Sequence, residues 1–335
     1  MGIFTGLHRR LHGRGRPATS AALVWDSERD SAVLAHQPDA ESRAGGIPPT
    51  LLLPRADRRS ALLRGVDLTA SRGLEFGPLM SPLVGRQEGR IEYIDHLPTT
   101  ALREKYATDP NVDVERIVAV DHILVDDGLP DSLAPESFDY VIACHVFEHL
   151  PNPLQWLADV ARRLRPDGLL CLALPDKRFT FDRLRPPTRL ASWIEAHLED
   201  RRRPSAESVF DAAMLSVTMP LGATWRRPPL PEELRPQGAA DPSWAVSLAR
   251  QATQEYFDVH CSVFTPATFL TLLAETAGLD LHPFALAGFG DTAEDGFEFF
   301  VQLANRPSLD GPARAALFRQ AAAAAHAGSP HDRAA

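Results

Sequence analysis

The chain has 335 residues, 44% hydrophobic and 24% charged, the balance of an ordinary globular protein with room for one large domain or two smaller ones. A formal net charge of −9 argues against a protein built mainly to hold nucleic acid or an anionic membrane. Cys144, Cys171 and Cys261 form no CxxC pair, so neither a disulfide framework nor a metal site is expected, and no apolar stretch reaches the ~18 residues of a membrane span.

Residues 1–53 have weak periodicity and many small or polar residues. They read as a mostly disordered arm with a short strand near Ala22–Trp25. The arm carries Arg9, Arg10, Arg14 and Arg16 without the apolar stretch of a secretory signal, so a cytoplasmic location is the default. Pro54 opens a helix that runs through Leu63 to Gly65. From Arg72, short apolar runs alternate with helical stretches, the signature of an α/β core over 54–182. Strands are expected at Gly73–Gly77, Arg90–Asp95, Val114–Asp121, Phe138–Cys144 and Leu169–Leu174. A helix fits Thr99–Ala107. Another follows Asn152-Pro153, with Leu154, Leu157, Val160, Ala161 and Leu164 at helical spacing, and closes at Pro166-Asp-Gly168.

The alternation stops after Pro175. Residues 183–255 read as a helical insertion expected to act as a lid over the acceptor, with helices at Thr188–Leu198, Ser205–Ser216 and Ser243–Tyr256 and a Pro-, Arg- and Trp-rich loop from Pro220 to Pro242. Residues 256–305 complete the core with a helix at Pro266–Ala277 and strands at Leu279–Ala287 and Phe297–Ala304. The link between those strands is too short for a helical crossover, so they should pair antiparallel. The Ala-rich tail, 306–335, is expected to be helical in part and otherwise frayed. The fold class is thus α/β: a Rossmann-like, seven-stranded, mostly parallel sheet with an antiparallel last strand and a helical insertion.

Ligands of open α/β sheets bind beyond the carboxyl ends of the strands. Gly77 follows the first strand, Asp95 ends the second and Asp121 ends the expected third. A carboxylate at the end of the second strand can accept from both hydroxyls of a ribose; a lone strand-end Asp can equally be a cap or turn residue. The first turn reads Gly77-Pro-Leu-Met-Ser-Pro82 rather than GxGxxG, and its prolines work against a helix N-terminus aimed at a pyrophosphate. That counts against NAD or FAD and favours a cofactor with ribose and adenine but no phosphate, such as S-adenosylmethionine (SAM).

Gly73-Leu-Glu-Phe-Gly-Pro, Ser137-Phe-Asp-Tyr-Val-Ile-Ala-Cys-His-Val-Phe-Glu-His-Leu150, Asn152-Pro-Leu and Leu164-Arg-Pro-Asp-Gly168 resemble class I SAM-dependent methyltransferases of the small-molecule, methyltransferase type 11-like kind. The resemblance covers about 70–182 and resumes around 256–305; its first loop has fewer glycines than the family pattern. By position it implies that Glu75 and Gly77 lie near the methionine moiety, Asp95 at the ribose and Asp121 beside the adenine, with Asp126 and Asp127 as near alternatives. It places Cys144 and His145 where the amino acid end of SAM meets the acceptor.

Methyl transfer from a sulfonium is an in-line displacement, and a hydroxyl or amine acceptor must also lose a proton, a task suited to histidine. His145 and His260 are the candidate bases, although His260 can equally sit in a hydrogen-bonded turn; His149, beside Glu148, reads as structural. Asp176 and Lys177 follow the fifth strand on the ligand edge and either pair with each other or bind substrate. Trp225 with Arg226 suits a sugar or an anionic group. Lys105 and Lys177 are the only lysines, so the many other arginines reflect coding bias and are not read as phosphate sites. The expected activity is methyl transfer to a small-molecule or saccharide-type acceptor, without nucleic acid, membrane span or metal. The alternative is a non-catalytic SAM-binding or regulatory protein on a degenerate methyltransferase fold.

Overall fold

Strands β1 (Arg72–Phe76), β2 (Arg90–Asp95), β3 (His122–Ile123), β4 (Phe138–Cys144) and β5 (Leu164–Pro175) form the first part of the sheet in the computed structural model; the helices Thr99–Tyr106 and Pro153–Arg163 join β2 to β3 and β4 to β5, while β1 runs to β2 without one. The structure describes residues 48–53, 57–125, 128–238 and 241–328. The strand expected at Ala22–Trp25, the helix start at Pro54, and Asp126 and Asp127 lie outside them. Within the insertion β6 (Val217–Thr218) and β7 (Arg235–Pro236) pair with each other. The chain then returns to the main sheet as β8 (Phe284–Gly290) and β9 (Glu298–Asn305). The seven-stranded order is β3-β2-β1-β4-β5-β9-β8. Only β9 runs antiparallel to its neighbours.

The central strands are apolar on both faces, as strands covered on both sides must be. Along β4, Val141 and Ala143 join one core with Leu172, Leu174 and Val301, while Tyr140 and Ile142 join the other with Tyr93 and Ala173. The helix Pro153–Arg163 starts where Asn152 Oδ1 accepts from Gln155 N and Pro153 occupies the first turn. Thr265 and Thr268 cap the helix Pro266–Gly278 reciprocally. The insertion builds its own small core from Val209, Ala212, Ala245, Leu248 and Phe257. It is pinned to the main core by Trp193, which packs on Phe147 and donates to Ser262 Oγ at 3.1 Å.

Three expectations need correction. The stretch Val114–Asp121 is not a strand: Val114–Arg116 is a single 3-10 turn begun by Asp113, and β3 starts only at His122. Its backbone amides are drawn elsewhere, Val118 N to Leu79 O and Val120 N to Thr99 Oγ1. The helix expected to close at Gly168 ends at Arg163. Pro166 disfavours helix at the residue before it, Leu164 is already extended against Phe138, and Asp167 turns through a left-handed φ of 63°. The strand expected from Leu279 begins at Phe284, because Asp280 is left-handed (φ 55°) and Pro283 has no amide to give. The tail is helical in part, as expected: Gly311–Gly328 buries Ala315, Phe318 and Ala321 beside the helix Pro266–Gly278.

Candidate active site

Strand order reverses between β1 and β4, so a crevice opens at their carboxyl ends. Gly77 leaves β1 with φ 57°, a left-handed turn that glycine adopts without penalty, and its amide donates to Ile94 O on β2. Glu75, 3% exposed, points at the following loop and accepts from Leu83 N at 2.6 Å and Val84 N at 3.3 Å. Burial drives its carboxyl up to about 7, against the pull of those two amides. Asp95 is buried at the end of β2, and its contacts with the His96 amide and ring both run through Oδ1. Asp121 stands before β3 rather than at its end; its Oδ2 accepts from Tyr93 N at 2.7 Å and Arg86 Nη2 at 2.6 Å.

Cys144 ends β4, half-buried, and burial pushes its thiol up to about 12, which removes it as a nucleophile near neutral pH. His145 follows with φ 52°, a backbone state that is uncommon for a residue with a Cβ and held here by the hydrogen bond its N–H donates to Ala173 O. Its Nε2 lies 2.8 Å from Glu298 Oε2 and its Nδ1 3.5 Å from Glu148 Oε1. Burial alone would lower the imidazole pKa, but the two carboxylates outweigh it and raise it. Glu298, the first residue of β9, is pushed up by burial and brought down to about 2 by His145 and by Arg58. Arg58 Nη2 donates to Glu298 Oε2 at 2.8 Å.

His260 is 2% exposed, and its Nδ1 contacts Asp182 Oδ2. Arg185 donates to Asp182 Oδ1 at 2.9 Å and to the His260 carbonyl at 2.9 Å. Glu148, wholly buried, is the carboxylate shared by His145 and His260, whose Nε2 is 4.0 Å from Oε1. His149 Nδ1 lies 2.9 Å from Asp258 Oδ1.

Asp176, wholly buried, pairs with Arg178 rather than Lys177 and accepts from Thr292 Oγ1 at 2.8 Å. Lys177 is lowered by burial, and its Nζ donates to Arg183 O at 2.7 Å. Trp225 stacks flat on Phe179, ring centres 4.0 Å apart, and its Nε1 donates to Gly296 O at 2.8 Å. Arg226 beside it is exposed. Arg227 is held by Glu233 at 2.7 Å.

Residue spacing had missed Arg58 and Glu298, which are 240 positions apart. It also missed Asp182, Arg185 and Asp258, for which the clusters Asp182-x-x-Arg185 and Asp258-x-His260 were the available signal.

The sheet order, the β1–β4 crevice and the strand-end acid at Asp95 are those of a nucleoside-binding α/β sheet, and a family model described as "Methyltransferase domain" matches residues 85–283. The chain belongs to the methyltransferase-domain family. A search of curated proteins finds no match. Among solved structures, CurJ carbon methyltransferase is similar at 15% identity and TM-score 0.35, covering 74% of this chain and 51% of that one. The present chain thus spans about half the length of that protein. A SAM-dependent methyltransferase from Aquifex aeolicus is similar at 14% identity and TM-score 0.35, covering 74% of this chain and 89% of that one. One from Mesorhizobium loti is similar at 11% identity and TM-score 0.36, with 71% and 92% covered. The methyltransferase uses SAM as its methyl donor. None of its helices among the described residues is long and apolar enough to cross a membrane.

Proposed function

We propose that the methyltransferase alkylates a hydroxyl or amine of a small, saccharide-type acceptor, and that His145 with Glu298 receives the acceptor's proton. The observation that carries this reading is His145: a left-handed residue at the end of β4, buried, with its ring set on a carboxylate at the ligand edge of the sheet. Of the two carboxylates at the ring, Glu298 is 16% exposed and Glu148 not at all, so the acceptor enters on the Nε2 side, where it would take the place of Glu298 on Nε2 and pass its proton to that nitrogen. His260 is covered and bound to Asp182, which disfavours it as the base.

SAM supplies a methyl group already activated by its sulfonium, so the chain's own task is alignment, water exclusion and proton removal. Asp95 would hold the ribose hydroxyls through Oδ2, with Glu75, Gly77, Cys144 and His145 framing the amino acid end. Asp121 would lie beside the adenine. The helix Leu221–Arg226 supports a small acceptor: Trp225 rests on Phe179, just after β5, and on Gly296, just before Glu298, which covers the edge beside the base. Arg226, with Asp176 and Lys177 fixing the floor of that edge, would meet the acceptor's polar or anionic group.

The test is transfer of labelled methyl from SAM to a panel of small hydroxyl and amine acceptors. His145→Ala should lower kcat about 100-fold or more, the scale of general-base catalysis, a larger loss than in SAM affinity. Equal turnover in a folded variant means that transfer proceeds by positioning alone.

A further inference from the structure

We propose that Glu148, His149 and His260 form a buried site for one divalent transition-metal cation, zinc by preference, which clips the returning end of the insertion to the turn after β4. One ligand atom from each residue lies within 4.8 Å of the other two, and His260 Nε2 is 4.0 Å from Glu148 Oε1. Ligands at ~2.0–2.2 Å from a tetrahedral zinc stand about 3.4 Å apart, so small side-chain adjustments close the set around an ion. Two imidazoles and a carboxylate are donors that zinc accepts readily. All three residues are buried, at 0%, 5% and 2% exposure for Glu148, His149 and His260.

Four further observations point to a cation rather than to a plain polar contact. Neither oxygen of Glu148 accepts a well-formed hydrogen bond among the described residues; its nearest ring nitrogen is His145 Nδ1 at 3.5 Å. A wholly buried carboxylate met only by ring nitrogens at 3.5 Å or more is costly to keep charged. Each histidine is also held by a carboxylate of its own, His260 Nδ1 by Asp182 and His149 Nδ1 by Asp258 at 2.9 Å. Such outer carboxylates orient metal-bound histidines and raise their basicity. The two rings meet edge to face at 90°, with centres 4.7 Å apart, rather than stacking. Finally, the group holds the carboxylates of Glu148, Asp182 and Asp258 against one guanidinium, Arg185 on Asp182. A metal takes its imidazole ligands neutral, and three carboxylates then exceed one guanidinium by two charges, the charge of one divalent ion.

The backbone is already set for such a clip. The amides of Cys261 and Ser262, just past His260, donate to the Glu148 carbonyl at 2.7 and 3.0 Å. Asp182 lies where the chain leaves for the insertion, and Asp258 and His260 lie where it returns.

The full chain, as purified, should contain about one equivalent of zinc by elemental analysis. After chelator stripping it should take up Co(II) with a saturable visible absorption that zinc abolishes, and zinc should raise its melting temperature. His149→Ala and His260→Ala should each weaken Co(II) binding about tenfold or more. No saturable Co(II) absorption in the stripped parent overturns the proposal, and this result needs no variant to fold. Equal binding in a folded double variant overturns it as well. SAM affinity of the stripped chain, measured alongside, reports on the cofactor site alone, so failure of the metal site and failure of the methyl-transfer reading are distinguishable.

Discussion

At the scale of single residues, Asp95 and the His145–Glu298 pair make separable claims. Hydrogen bonds to a charged group contribute roughly 1.5–3 kcal/mol each. Asp95→Ala should therefore weaken SAM binding more than tenfold in calorimetry while the melting curve stays cooperative; unchanged affinity in a folded variant rules out Asp95 as the ribose ligand. His145 is raised above its usual 6.5 by its two carboxylates once their pull has overcome burial. A base must be unprotonated, so turnover should climb with pH along an acid limb that lies above 6.5. Glu298→Gln removes one of the groups that raise it and should move that limb to lower pH. A purely structural histidine would leave the limb where it is. Asp95 was legible as a strand-end acid, whereas Glu298 was not, because a glutamate opening an antiparallel strand has no local pattern that separates it from any other half-buried acid.

At the scale of elements, the segment Pro220–Pro242 departs from a simple loop. It contains the helix Leu221–Arg226 and the β7 half of a small hairpin, and Trp225 fastens it to Phe179 and Gly296. If it acts as a lid, that aromatic stack is its latch. Trp225→Ala should raise the rate of proteolytic cleavage within Pro220–Pro242, and SAM plus an acceptor analogue should protect the parent. Equal cleavage in both, with no protection, makes the segment a fixed subdomain. Caps were easier to read than edges. Asn152-Pro153 and Thr265-Pro266 announce their helices because an acceptor side chain followed by proline satisfies the first turn locally. The Val114–Asp121 run looked like a strand, but at the margin of the sheet its amides found loop and side-chain partners instead.

At the scale of the whole molecule, the same pair links strand β4, strand β9 and the N-terminal helix Arg58–Leu62, so its titration should appear in global stability. Glu298 falls from 4.5 to about 2 on folding; its stabilisation is present above 4.5 and lost as pH drops toward 2. His145 is raised from 6.5; its stabilisation is present below 6.5 and lost as pH climbs through the raised value. Together they contribute fully between about 4.5 and 6.5. Melting temperature should decline on both sides of that window, and His145→Gln should flatten both limbs. Glu75, raised from 4.5 to about 7, adds its own loss as pH rises. The difference between parent and His145→Gln therefore isolates the pair. A difference that does not vary with pH would show that His145 makes no ionic contribution.

The α/β class, the core strands and the reaction class were determined by the sequence alone. Each rests on local information: the both-faced apolar runs of β4 and β5, the caps of the helices between, and a motif that stays contiguous from Ser137 to Gly168. Tertiary structure alone decided which charges meet. His145 finds Glu298 across 153 residues, and His260 finds Asp182 across 78. Pairs so far apart in the chain leave no periodic trace, because sheet order and the return path of the insertion bring them together. The physical reason is that a buried charge must find a partner wherever the fold places one, and sequence spacing records only neighbours along the chain.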